Sequence, residues 1–328
     1  MKLTLEQIRA LIHGAVTVEE SADGKFSFCR FTASQKAAYE PGKNITTQVP
    51  ATAGMRLEFV TDSDTFSFDY LARSASSRRY YYFDVYLDGV MVKHFGHKDV
   101  KAVASTLTVK LPEGVHTVAV YFPNLFSVQI SKVTVDDGAT VEPVQKSCRM
   151  VCYGDSITQG YDAVYPSRSY VNQLADKLNA DVIDFGIGGE VFRPELVTRE
   201  LDFEPDIVTV AYGSNDFTKK KSREDMVRDA NEFHARARAA YPNAKIFAVT
   251  PVWRYDGEKI TAVGSFADAV RIAYDAAAAQ PGVVVVDGSH MTPHSVDYYY
   301  DGLHPTDSGF SFYANALYAA MKPHLNQK

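Results

Sequence analysis

The spacing of apolar positions changes partway along the chain. From Gly14 to about residue 135 they come in short runs of β-branched and aromatic residues between turn signals, the pattern of strands. The runs cover residues 26–31, 56–60, 65–71, 80–87, 90–95, 106–111, 116–122 and 128–135. Asp88-Gly89 between two of them is a two-residue hairpin signal. Short strands with few helical patterns predict a sandwich or jelly roll. Ahead of them, residues 4–13 read as a short helix. Thr4 and Gln7 have capping-box spacing, Leu5, Ile8, Leu11 and Ile12 share a face, and Gly14 stops it.

Residues 136–145 are polar and poor in apolar side chains, so a linker is expected there. Beyond it strands and amphipathic helices alternate. Strands are predicted at 149–152, 181–185, 206–211, 245–250 and 283–286, and helices near 170–178, 194–201, 223–241, 266–279 and 306–321. Continuous apolar strands separated by helices imply a parallel sheet covered on both faces. The expected organisation is an all-β domain over residues 1–142 and an α/β domain over 143–328. In such parallel sheets, function sits in loops at the carboxyl ends of the strands.

Composition narrows the class. The 328 residues are 46% apolar and 23% charged, as in a water-soluble globular protein. The net charge of -6 argues against a nucleic-acid or anionic-membrane binder, which carries a basic surplus. Glu6 and Arg9 interrupt the N-terminal segment, so no signal peptide is read and a cytoplasmic location is expected. Cys29, Cys148 and Cys152 are too few and too oddly numbered for a disulfide framework, and free thiols are expected.

Four segments in the second half carry chemistry. Gly154-Asp155-Ser156-Ile157-Thr158 follows the first strand, and Gly186-Ile187-Gly188-Gly189-Glu190 the second. Gly213-Ser214-Asn215-Asp216 follows the third, and Asp301-Gly302-Leu303-His304-Pro305 lies before the last helix. A serine hydroxyl is a weak nucleophile at its free pKa, so a base must take its proton. His304 can do so near neutral pH. Asp301, three residues earlier, can hold the ring in one tautomer across a turn eased by Gly302. A tetrahedral oxyanion needs convergent donors, for which the Ser156 N–H, the Gly189 N–H and the Asn215 amide are candidates. Taken alone, the first block also reads as a turn followed by a serine helix cap.

The four blocks, in this order, resemble the SGNH hydrolases, or GDSL esterase/lipase superfamily, over roughly residues 149–322. The resemblance implies a three-layer α/β/α fold around a flavodoxin-like parallel sheet. It also implies Ser156 as nucleophile, His304 as base, Asp301 as its orienting partner, and Ser156, Gly189 and Asn215 as oxyanion hole. Gly186 and Gly188 lie close to Gly189. The family's second block often starts with Asn where this chain has Asp184, a loop-supporting position. A jelly roll ahead of such a domain resembles the carbohydrate esterases of the second family, which remove acetyl groups from plant polysaccharides.

The substrate is less legible. A short hydrolase part leaves little room for a lid or acyl tunnel and suits small acyl groups. Trp253 and Arg254 follow the fourth strand and are candidate substrate contacts, with domain-interface packing as the competing reading of Trp253. Phe192 and Phe217 are candidate acyl-pocket walls or ordinary core. His94 and His97 read as surface histidines, and Pro293 disfavours a helical His290/His294 metal pair. No metal or cofactor is expected. The partner is an ester of an oligosaccharide or small molecule, with homo-oligomerisation left open. The leading expectation is a serine esterase removing acetyl from carbohydrate esters. The alternatives are a short-chain carboxylesterase or thioesterase without sugar preference, and a non-catalytic glycan-binding protein.

Overall fold

The computed structural model describes residues 1–219 and 221–325. Two antiparallel sheets face each other in the first half. One runs Ile12–His13, Arg56–Thr61, His116–Tyr121, Tyr81–Leu87, Val90–His97, with Val141–Pro143 added to Arg56–Thr61. The other runs Thr17–Glu20, Lys25–Cys29, Phe126–Val135, Thr65–Ser74, Ala102–Lys110. Alternating burial along Thr65–Ser74 sends Phe66, Phe68 and Tyr70 inward, where they meet Phe59 and Phe83. Asp88 and Gly89 both take positive φ, 49° and 79°, in the expected hairpin turn. The helix Leu5–Leu11 starts with the expected Thr4–Gln7 capping box.

The second half is a five-stranded parallel sheet ordered Ala180–Asp184, Cys148–Gly154, Ile207–Ala211, Lys245–Val249, Val283–Val286. Strand side chains alternate between its faces. Val151 and Tyr153 pack with Phe233 and Ala237 of helix Arg223–Ala240, while Met150 and Cys152 pack with Tyr170, Phe310 and Leu317 on the opposite side. The strand order places a topological switch beside Cys148–Gly154, where sheets of this kind open a crevice.

Two expectations about the elements need correction. The predicted helix at 194–201 is only the 3-10 turn Pro194–Leu196. Beyond it, Tyr241 donates to the Thr198 carbonyl and the Tyr153 hydroxyl takes the Thr198 N–H, which holds the chain out of helical register. The first half is also not purely β, because helices Ala33–Tyr39 and Lys43–Thr46 interrupt it. Phe31, Tyr39 and Val49, on and around that insertion, join the core on the Val151 and Tyr153 face of the parallel sheet.

Polar contacts also tie the halves together. Arg56 pairs with Asp176 at 2.5 Å, and Asp84 accepts from the Ser167 hydroxyl and N–H at 2.6 and 2.9 Å. Fully buried Arg30 donates to the carbonyls of Ala51, Asp184 and Gly186. His94, read as a surface residue, is instead half-buried at this junction. It bonds Asp84 at 2.6 Å and stacks on Tyr165.

Candidate active site

The strand Cys148–Gly154 ends at a glycine, where a side chain cannot fit: a Cβ there would lie 1.9 Å from Thr158 Oγ1. The chain turns at Asp155, whose carboxylate caps the helix Ser156–Gln159 by accepting the Ile157 N–H at 3.0 Å. Ser156 thereby becomes the first residue of a short helix at the carboxyl edge of the sheet.

The last loop comes to meet it. Ser156 Oγ and His304 Nε2 are 2.7 Å apart, and His304 Nδ1 lies 2.7 Å from Asp301 Oδ2. Asp301 Oδ1 accepts the N–H groups of Leu303 and His304 at 3.1 and 2.9 Å, so the loop is folded around the carboxylate. Partial burial alone would push the Asp301 carboxyl up, but the hydrogen bonds from His304 hold it well below the usual range. An ionised Asp301 keeps the proton of a neutral His304 on Nδ1 and frees Nε2 to accept one from Ser156.

Donors converge on the same space. Of the three glycines in the second block, Gly186 gives its N–H to Asp184 and Gly188 gives its own to Gln159, both at 2.7 Å. The N–H groups of Gly189 and Ser156 have no partner among the described residues. Gly189 sits at φ 80°, in the left-handed region that favours glycine. Asn215 Nδ2 donates to Glu190 O at 3.0 Å and more loosely to Asp155 Oδ2 at 3.2 Å. Burial pushes the Asp155 carboxyl up to about 6 and the Asp184 carboxyl up to about 7, and it raises Glu190 and Asp216 as well.

Ser156, Gly189, Asn215, Asp301 and His304 line one cavity of about 510 Å³. Its remaining wall comes largely from the first half of the chain. Thr47, Gln48, Ser76, Ser77 and Arg78 face the same space, and Gln48 bonds both the Gly188 carbonyl and the Tyr161 hydroxyl. Sequence reasoning missed these residues along with Tyr161 and Asp162. No local pattern marks Gln48 or Arg78, whereas Tyr161-Asp162 follows the serine block directly and could have been considered with it. Asp162 Oδ2 lies 3.8 Å from His304 Nδ1, and Arg78 bonds Asp162 through both of its oxygens. Asp162, Asp301 and His304 are close enough for a cation, but the Arg78 guanidinium already supplies positive charge there.

The four proposed substrate contacts lie elsewhere. Phe192 packs on Tyr212 and Phe233, and Phe217 on Phe266; both are buried core residues and neither lines the Ser156 cavity. Arg254 is buried, pairs with Asp256 and donates to the Ser214 carbonyl at 3.0 Å, so it braces the asparagine block. Trp253 stacks on His294 and lines a separate groove of about 870 Å³ against helix Phe266–Ala278. The three cysteines are free, with Cys152 buried and the others half-buried.

Residues 152–311 match the GDSL-like lipase/acylhydrolase family. No curated protein matches the chain by sequence. Among solved structures, it is similar to a salicylyl-acyltransferase, SsfX3, from a tetracycline biosynthetic pathway. That likeness has a TM-score of 0.82 and 22% identity, covering 95% of this chain and 94% of the other. It is also similar to a family two carbohydrate esterase from Clostridium thermocellum in complex with cellohexaose (TM-score 0.68, 17% identity, 96% and 99% covered). A third is the acetyl xylan esterase Est2A from the rumen bacterium Butyrivibrio proteoclasticus (TM-score 0.67, 15% identity, 100% and 99% covered). These likenesses extend through both halves, so the pairing of an antiparallel sandwich with this α/β/α layer is a shared architecture.

Proposed function

Since residues 152–311 form a GDSL-like lipase/acylhydrolase domain, a domain of ester hydrolases, we propose that the protein removes short acyl groups, acetyl first, from hydroxyl-rich alcohols such as oligosaccharides. The observation that carries this reading is the continuous chain of hydrogen bonds from Ser156 Oγ through His304 to Asp301, opening into a cavity with a polar wall. The cavity wall carries the polar side chains of Thr47, Gln48, Ser76 and Ser77, a surface compatible with a leaving alcohol that is itself rich in hydroxyls. The likenesses to carbohydrate esterases agree with that choice.

In this mechanism Ser156 Oγ attacks the ester carbonyl while His304 Nε2 takes its proton. The oxyanion is received by the N–H groups of Ser156 and Gly189. Asn215 supplies a third donor by releasing its longer bond to Asp155. His304 then gives the proton to the departing alcohol oxygen as the C–O bond breaks, leaving an acyl-Ser156 ester. A water enters, His304 takes its proton, and attack on the acyl carbon frees the acid and regenerates Ser156. Asp301 stays ionised throughout and stabilises the imidazolium.

The test is hydrolysis of aryl esters from acetyl to decanoyl, alongside acetylated oligosaccharides. Acetyl should be preferred, acetylated oligosaccharides should exceed aryl acetates in kcat/KM, and Ser156→Ala should abolish nearly all turnover. A preference for acyl chains above about eight carbons would refute the acetyl assignment. Equal kcat/KM for sugar and aryl acetates would favour a general short-chain esterase. Adding an alcohol acceptor separates hydrolysis from acyl transfer, the activity for which the salicylyl-acyltransferase is named.

A further inference from the structure

The β sandwich reaches the histidine from behind. Arg78 lies in the loop between strands Thr65–Ser74 and Tyr81–Leu87. Its Nε and Nη2 donate to Asp162 Oδ1 and Oδ2 at 2.7 and 2.6 Å, and Nη2 is also 3.5 Å from Asp301 Oδ2. Tyr80 from the same loop donates to Asp162 Oδ1 at 3.3 Å. The Arg78 guanidinium lies over the Tyr161 ring, and that ring stacks on His304. His304 Nδ1 therefore faces two carboxylates of different character. Asp301 is at 2.7 Å with its side chain 45% exposed, and Asp162 is at 3.8 Å with 6% exposed.

We propose that Asp162, gripped by Arg78, is a second positioning carboxylate for His304, and that this Arg78–Asp162 pair makes the docked sandwich part of the machinery that sets the base. The proposal rests on the esterase reading above. When His304 takes the serine proton it becomes a cation. Water screens half-exposed Asp301, whereas buried Asp162 acts on the ring through a less polarisable medium. Two carboxylates alone would over-stabilise the imidazolium and offer Nδ1 two competing acceptors. Arg78 balances one of them and fixes its orientation through a two-point contact that a lysine cannot reproduce. With His304 protonated, two cations and two anions then meet at this point.

The charge logic gives opposite signs for the two partners. The charged and titratable groups around His304 are Asp301 on its own loop, Asp155 beside Ser156, Tyr161 and Asp162 after the serine helix, and Arg78 and Tyr80 from the sandwich. Removing Arg78 leaves Asp162 an unbalanced anion, which favours imidazolium. Removing the Asp162 charge leaves Arg78 an unbalanced cation, which disfavours it. An arginine that merely latched the two halves together would lower stability without moving the titration of the base.

The experiment is the pH profile of kcat/KM for an aryl acetate, measured on the full chain and its Arg78→Met, Arg78→Lys and Asp162→Asn variants. Asparagine tolerates the left-handed backbone of Asp162, at φ 67°, so that variant keeps the local fold. The acid limb should move up by roughly half a unit or more in Arg78→Met and down by a similar amount in Asp162→Asn. Plateau kcat should fall by about tenfold or more in both, because the ring is less well aimed. Arg78→Lys should return the limb toward its original position while recovering only part of kcat. Profiles parallel to the parent, or limbs moving in one common direction, overturn the proposal. If Arg78→Met does not fold, a downward limb in Asp162→Asn against a near-parental limb with reduced kcat in Arg78→Lys decides instead, and an unmoved limb in Asp162→Asn overturns the proposal. A parent protein that neither turns over aryl acetate nor is acylated at Ser156 by an organophosphonate instead refutes the esterase reading, so the two failures are distinguishable.

Discussion

Gln159 Oε1 accepts the main-chain N–H of Gly188 at 2.7 Å, joining the serine helix to the glycine turn. Gln159 is fully buried three residues after Ser156, and its Nε2 points back toward the Asn124 carbonyl of the sandwich at 3.4 Å. By occupying the Gly188 N–H it leaves the next one, of Gly189, directed at the cavity. Gln159 thus helps to set the relative position of the two proposed oxyanion donors, Ser156 N–H and Gly189 N–H, together with the Gln48 bond to the Gly188 carbonyl.

Gln159→Met keeps the volume and removes the acceptor. The half-buried Gly188 N–H then loses its partner, at a cost of up to about 1 kcal/mol, so the melting temperature should drop slightly. Turnover should fall by about tenfold with KM little changed, because the donors serve the transition state more than the ground state. A variant with parental kcat would show that Gly189 is held by other contacts.

Asp184 supplies a pH dependence of stability. Its carboxyl is buried beside Arg30, and burial raises it from 3.8 to about 7. A group whose folded pKa is raised binds its proton more tightly in the folded state. Its contribution is therefore fully present below pH about 4 and is lost as pH rises through about 7. Asp184→Asn has no such loss. Urea unfolding at pH 4, 5.5, 7 and 8 should show the stability of the variant relative to the parent rising across that range and then levelling. A difference that stays flat with pH would mean that Asp184 remains ionised because Arg30 outweighs burial.

How legible this was depends on sequence distance. The serine, glycine, asparagine and histidine blocks are each local, and each follows a strand end or precedes the last helix, so spacing and turn chemistry reveal them. Strand runs such as 65–71 and 116–122 were visible from their β-branched and aromatic residues between turn signals. Helix Ala33–Tyr39 was not, although Thr32 and Gln35 repeat the capping-box spacing of Thr4 and Gln7. Arg30, Gln48 and Arg78 left no local signal at all. Arg78 and Asp301 are 223 residues apart, and their meeting is a property of how the two halves pack together. Trp253 misled for a related reason: it lies at the correct sheet edge, but its ring turns toward His294 and away from Ser156.

Trp253→Ala should accordingly leave KM for aryl acetates within about twofold of the parent, the ordinary range for a change outside the site. Arg254→Ala should behave differently. It removes the donor to the Ser214 carbonyl and the cation over the Phe217 ring, so it should lower melting temperature and kcat together for every ester tested. Steady-state kinetics with two esters of different acyl length separates these cases. A selective rise in KM for Trp253→Ala would restore that residue as a substrate contact.

The last expectation concerns the two halves. A chain beginning at residue 143 retains all four motif blocks, yet it loses Phe31, Tyr39 and Val49 from the core that covers one face of the parallel sheet. Phe185, which stacks on Phe31 at 5.6 Å, would be uncovered. The carbonyls of Asp184 and Gly186 would lose the Arg30 donors that hold the strand end in place. Removing three buried large side chains exposes their partners at about 1.5–3 kcal/mol each, a large fraction of the 5–15 kcal/mol by which a domain is ordinarily stable. The shortened chain should therefore be insoluble or molten, with weak near-ultraviolet circular dichroism and no esterase activity. Co-expression with residues 1–142 should restore soluble, active protein, since the same contacts can form between separate chains. A shortened chain that folds alone with parental kcat would show that the sandwich is dispensable for both the core and the base.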